Sequence, residues 1–202
     1  MKEFHILLDN GHGYDTPGKF SPVWADGTQF FEWKSNREIV VLIKKKCDAD
    51  GLPVHIIVPE DHDVSLGERC RRANAICAKY GKENCLYLSI HSNAANGQAR
   101  GIEVYTSKGN TASDKYAEVM YEVGREMFPT TKFRCDTTDG DHDKEANYSV
   151  LRNTICAAIL SESFFFDNEE DCRYLMSEEG KEAIAEWHYR TIKKCIELHA
   201  KM

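Results

Sequence analysis

Residues 3–9 (EFHILLD) make an apolar run of strand character that stops at an acid, and residues 36–51 (NREIVVLIKKKCDADG) space their apolar side chains at helical intervals and close at Gly51. A strand over residues 53–60 (PVHIIVPE) follows. A second amphipathic helix runs over 66–81 (LGERCRRANAICAKYG), with Gly81 in the position of a C-terminal cap, and a third strand over 85–90 (CLYLSI). The pattern to this point is βαβαβ. A strand at 100–107 (RGIEVYTS), a helix at 113–128 (SDKYAEVMYEVGREMF), a short segment SVLRN at 149–153 read as pairing with the sheet, an apolar strand at 156–166 and a long amphipathic helix at 178–200 complete the chain. Strands alternating with helices predict an α/β fold: one domain over 1–202, with a mixed, mostly parallel sheet flanked by helices on both faces.

Two stretches break the periodicity. Residues 16–34 contain Pro17, Pro22 and Gly27, and residues 130–148 are rich in Asp and Thr, so both read as long surface loops. Loops of this length in a compact domain are commonly functional. No internal repeat or linker divides the chain.

With 202 residues, the chain is long enough to bury a core without covalent staples. Its eight cysteines contain no Cys-x-x-Cys pair, which argues against a structural zinc knuckle, and Cys70 and Cys77 stand seven apart on one helix. They are expected as free thiols, mostly in the core. A net charge of -7 disfavours nucleic acid and anionic membranes as partners. No apolar stretch reaches the roughly 20 residues of a membrane span, and no signal peptide is visible at the N-terminus.

The candidate chemistry lies at the ends of the predicted strands, where open α/β sheets bind their ligands. The first strand delivers His12, held between Gly11 and Gly13. CLYLSI delivers His91, and CAAILS delivers Glu162; Glu32 stands at the mouth of the first helix. The glycines beside His12 suggest close approach of some other group to this backbone. Two histidines and a carboxylate suit a catalytic zinc site with one position left open, and the remaining carboxylate is then free to act as a base. Each residue alone has a plainer reading as a solvated or capping side chain. Their joint placement favours the site, because His5 and His55 fall within strands, His62 and His142 in loops, and His188 and His199 on the last helix.

The segments LLDNGHG, FFEWKSNREI, LSIHSNAANG, GIEVY and VLRNTICAAILSESFFFDN resemble, in order and over nearly the whole chain, the zinc-dependent N-acetylmuramoyl-L-alanine amidases of the Amidase_3 family, which cut peptidoglycan. The resemblance implies that His12, Glu32 and His91 hold Zn2+ and that Glu162 is the catalytic carboxylate. Asn10 stands where Pro or Ala is common in the family, and Cys156-Ala157 where a Pro often precedes the last strand; neither touches a proposed ligand. Asp9 is a candidate for orienting His12 or a neighbouring backbone group, against a plain turn-capping role. Asn93 is a candidate for contacting substrate, against satisfying its own loop, and the loop around Tyr148 for lining a glycopeptide groove. The rival readings are a zinc peptidase cutting within the stem peptide and a non-catalytic peptidoglycan-binding module. A monomer is expected, acting on the cell wall after release by a phage-type lysis system or export from a longer precursor.

Overall fold

The computed structural model describes residues 3–202. Six strands form one sheet: β1 (His5–Asn10), β2 (Val54–Ile56), β3 (Cys85–Asn93), β4 (Ile102–Thr106), β5 (Lys144–Glu145) and β6 (Ala157–Phe165). In space they run β2-β1-β3-β6-β4-β5. β2, β1, β3 and β6 are mutually parallel; β4 is antiparallel to β6, and β5 is parallel to β4. The mixed, mostly parallel sheet expected from the sequence is therefore present.

Side-chain alternation along the strands divides the core in two. Ile6, Leu8, Leu86, Leu88, Ile90 and Ile159 face a layer built from α1 (Glu32–Ala49), α3 (Asp114–Met127), α5 (Glu169–Met176) and α6 (Glu178–His199). Leu7, Tyr87, Ala158 and Leu160 face the opposite, smaller layer of α2 (Leu66–Tyr80) and α4 (Ser149–Asn153). α6 packs against α1 and α3, with Trp187 fully buried and its Nε1 donating to Met120 O at 2.9 Å. All eight thiols are free, and only Cys135 is exposed. Among the described residues, no helix is long and apolar enough to cross a membrane.

Several elements differ from the sequence reading. SVLRN is helix α4 and does not join the sheet, because Val150 and Leu151 both turn into the α2 layer, which alternating strand geometry forbids. β2 pairs only over Val54–Ile56, where β1 offers partners. The first helix starts at Glu32, four residues before the apolar repeat; the amides of Lys34 and Ser35 donate to Phe31 O, and an acid in the first turn suits the helix dipole. α5 was absent from the expected elements. Its start is marked by Asn168, whose side chain caps Asp171 N at 3.2 Å, followed by three acids.

Candidate active site

The chain leaves β1, reaches β2 on one side, and returns past β1 to β3 on the other. The crevice at the carboxyl ends of β1 and β3 is thus a topological switch point, where such sheets place ligands. His12 follows β1, and His91 lies near the end of β3. β6 carries Glu162 in register with His91, and β4 carries Glu103 in register with Glu162. All three side chains project to the α2 side of the sheet, beyond the apolar layer.

The glycines around His12 provide space. A Cβ on Gly11 would lie 2.0 Å from His91 Cε1, and one on Gly13 would lie 2.0 Å from the backbone nitrogen of Asp63. The left-handed backbone is carried by His12 itself, at φ 66°, and the only other non-glycine residue with positive φ is Phe164 at 61° among the described residues. His12 belongs to the candidate site itself, and Phe164 lies two residues beyond Glu162 on β6. At Phe164 the β3–β6 register shifts, so that Asn93 pairs with Phe165.

Glu32, only 1% exposed, is the hub. Its Oε1 lies 3.0 Å from His91 Nδ1 and accepts the Ser92 amide at 3.2 Å; its Oε2 lies 3.4 Å from His12 Nε2 and 3.8 Å from Lys19 Nζ. The two imidazoles meet edge to face with centroids 4.8 Å apart. Burial opposes the Glu32 charge, but the two histidines hold its carboxyl well below the usual range. Burial lowers the His12 imidazole. In His91, burial acts in the same direction but the Glu32 partnership outweighs it, and the net shift is upward. One ligand atom from each of His12, Glu32 and His91 lies within 4.8 Å of the others, the only such group of three or more among the described residues. His12 Nε2 and Glu32 Oε2 are buried without a hydrogen-bond partner. Orphaned atoms facing one point, in a set of two imidazoles and one carboxylate, fit a zinc ion with an open position.

Glu162 also has a buried oxygen, Oε2, without a donor. Burial first, and the nearby Glu32 and Glu103 carboxylates, push it up to about 8 against the pull of His91 and Lys19. Glu103 differs sharply from it although the two are cross-strand neighbours. Its Oε1 accepts from Arg134 Nε (2.8 Å) and Lys144 Nζ (3.0 Å), and its Oε2 from Tyr105 OH (2.6 Å) and Asn93 Nδ2 (2.8 Å). Burial opposes that charge, yet Tyr105, Lys144 and Arg134 hold Glu103 low, so one carboxylate stays ionised while its neighbour is poised to take a proton.

Asp9 does not reach the His12 ring. It is 1% exposed, accepts from Ser89 Oγ at 2.9 Å, and pairs at 2.5 Å with Arg69, itself 2% exposed. Arg69 donates to the carbonyls of Asn10 (3.2 Å) and His12 (3.3 Å), and Arg37 adds a 3.0 Å bond to His12 O. Asp9 therefore acts on the adjacent backbone, through an arginine. Asn93 spends its amide on Glu103 and its carbonyl on the Ala94 amide at 2.8 Å, within its own loop. Tyr148, 41% exposed, stands beside Tyr105 with ring centroids 5.3 Å apart.

Arg69, Arg37 and Glu103 did not emerge from the sequence. One signal existed: Arg69 shares the Ala73 and Cys77 stripe of α2 at i, i+4 and i+8, and an arginine in an apolar stripe calls for a buried partner. Concavity is no guide to the site, since the cavity of about 600 Å3 bordered by Arg100, Phe128, Phe164 and Tyr174 includes none of these residues.

A family profile described as N-acetylmuramoyl-L-alanine amidase, Amidase_3, matches residues 6–194. The endolysin of Bacillus phage SPP1 is 30% identical over 201 residues, spanning 97% of this chain and 67% of that protein. The N-acetylmuramoyl-L-alanine amidase CwlM of Bacillus licheniformis is 30% identical over 195 residues, spanning 96% and 69%. Among solved structures, an N-acetylmuramoyl-L-alanine amidase from Clostridium difficile 630 superposes with a TM-score of 0.81 at 21% identity, covering 98% of each chain, which supports the fold.

Proposed function

The chain belongs to the Amidase_3 family of N-acetylmuramoyl-L-alanine amidases, and from that premise we propose that it is a zinc-dependent hydrolase of the amide joining the lactyl group of N-acetylmuramic acid to L-alanine in peptidoglycan. The observation that carries the zinc reading is the convergence of His12, Glu32 and His91 around orphaned donor atoms, with Glu162 in register beside His91. His12, Glu32 and His91 would hold the ion. Bound there, zinc supplies Lewis acidity toward the amide carbonyl and makes water acidic enough to attack near neutral pH.

Glu162 is the proton carrier in this reading. Its unpartnered Oε2 accepts a proton from the attacking water and returns it to the departing L-alanine nitrogen, because an amide anion is too poor a leaving group. Burial raises its proton affinity, which suits the return of the proton to the nitrogen. Lys19 adds positive charge beside the site, where negative charge develops on the carbonyl oxygen. Arg69 and Arg37 fix the backbone that presents His12, so the ring arrives preoriented.

Mass spectrometry of purified peptidoglycan after digestion tests the reading. Stem peptides with a new free L-alanine amino group, and glycan strands with free lactyl carboxyls, are the expected products. Cleavage between stem residues would instead make the chain a peptidase, and the absence of any cleavage by zinc-loaded protein would make it a binding module.

A further inference from the structure

The Asp-rich loop carries a second cluster, remote from His12 in sequence and made only of oxygen donors. In DGDHD, Asp139, Asp141 and Asp143 alternate, and Gly140, at φ 111°, turns the chain between the first two. Asp143 is 2% exposed, and its Oδ2 accepts from the buried Thr106 hydroxyl of β4 at 2.6 Å. The Asp141 and Asp143 carboxylates lie within hydrogen-bonding reach of each other, with Asp139 and Asp114 adding to the negative potential. Oδ1 of Asp141 and Oδ1 of Asp143 are each buried without a donor.

The basic side chains of the loop turn elsewhere. His142 Nδ1 lies 2.8 Å from Glu118 and its ring stacks on Tyr121, while Lys144 Nζ reaches Glu103 at 3.0 Å. A buried carboxylate facing a half-buried one needs a positive partner, since like charges do not share a largely desolvated site unrelieved. The occupant is then either a proton held between them or a cation. Carboxylates at alternate positions of an irregular loop, with neither imidazole nor thiolate among them, suit a hard ion that tolerates variable geometry.

We propose that the 139–143 loop binds one calcium-class divalent cation through the carboxylates of Asp141 and Asp143, with water completing its shell. The cation fastens the loop to β4 through Asp143 and Thr106. Asp143 leads directly into Lys144, which opens β5 and is one of the four donors on Glu103, so the second site fixes the frame that stands next to Glu162. Magnesium fits less well, because it demands near-octahedral geometry and keeps most of its water.

The test is isothermal titration of CaCl2 into zinc-loaded protein in calcium-free buffer, paired with thermal melts in CaCl2, MgCl2 and NaCl at equal ionic strength. One calcium per chain, with a Kd on the order of 10^-4 M or tighter, and a melting temperature raised by calcium beyond either control, are expected. Asp141→Asn, at a half-buried position, should weaken binding by about tenfold or more, because ligand charge sets affinity in such sites. Asp143→Asn should abolish it, and Asp50→Asn, on a distant helix end, should leave it unchanged. No saturable binding up to about 10 mM calcium in the wild type overturns the proposal. So does full binding in Asp141→Asn, or a wild-type melting temperature that calcium raises no more than magnesium or sodium does, which would show a shared proton as the occupant.

Discussion

Replacing Arg69 by Met removes the cation from a pair that water hardly reaches, since Arg69 is 2% and Asp9 1% exposed. The methionine fills similar apolar space along α2, but it returns none of the bonds that Arg69 makes to Asp9, Asp63 and the carbonyls of Val64, Asn10 and His12. Asp9 is left with Ser89 Oγ at 2.9 Å as its remaining side-chain partner. Breaking a buried pair on one side costs about 3–5 kcal/mol, a large share of the 5–15 kcal/mol that holds a typical domain together. His12 O keeps only the Arg37 bond, so zinc affinity should also fall, by about 10–100-fold as for other residues that support ligands from behind. Urea denaturation with and without zinc measures the first effect, and competition with a chromogenic chelator the second. Adding Asp9→Asn should recover part of the lost stability by removing the stranded charge, without restoring zinc affinity. A loss under about 1 kcal/mol with unchanged zinc affinity would refute the reasoning, because the pair would then be neither buried nor supporting His12.

Gly11→Ala should leave the fold largely intact yet drive the His91 ring from its place, since the new methyl would sit 2.0 Å from Cε1; zinc affinity should drop at least tenfold, and unchanged affinity would show that the ring has room to move. His188 is fully buried, its Nδ1 donating to Ile184 O at 2.7 Å and its Nε2 accepting from Ser161 Oγ at 2.8 Å. Burial holds its pKa down at about 4, against the ordinary 6.5. Between those values the unfolded chain binds the proton and the folded one does not, so its contribution is intact above about pH 6.5 and is lost as pH falls toward 4, to the extent of about 3 kcal/mol. Denaturation curves of the wild type and His188→Gln across that range should converge at low pH, and parallel curves would contradict the assignment.

The strand-end placement of these residues was legible in the sequence because periodicity fixes where a strand stops, and His12, His91 and Glu162 each stand at or near such a stop. Glu32 was legible as a helix-mouth acid even though its helix starts four residues earlier than the apolar repeat. The supporting groups were not, because their partners are set by tertiary packing. Glu103 sits on a short strand whose neighbours Arg134, Lys144 and Asn93 come from three other segments, and no local pattern brings those together. Arg69 left a trace in the α2 stripe, but a trace without a partner names no contact. SVLRN was misread because a run of so few apolar residues carries neither period clearly, and only the α2 layer decides that Val150 and Leu151 turn the same way. The close approach expected at the glycines beside His12 is made by the His91 ring and the chain at Asp63, while the left-handed backbone of His12 itself left no mark in the sequence.

Glu162→Gln tests the central claim most directly, measured as both zinc content and release of free L-alanine amino groups from purified peptidoglycan. Gln keeps the shape of the side chain but accepts no proton, so turnover should fall by about a hundredfold to ten-thousandfold with one zinc per chain retained, whereas His91→Ala should lose metal as well. A Glu162→Gln protein that liberates the amine at near wild-type rate, or one that loses its zinc, would contradict the division of labour between the Glu32 hub and the Glu162 base.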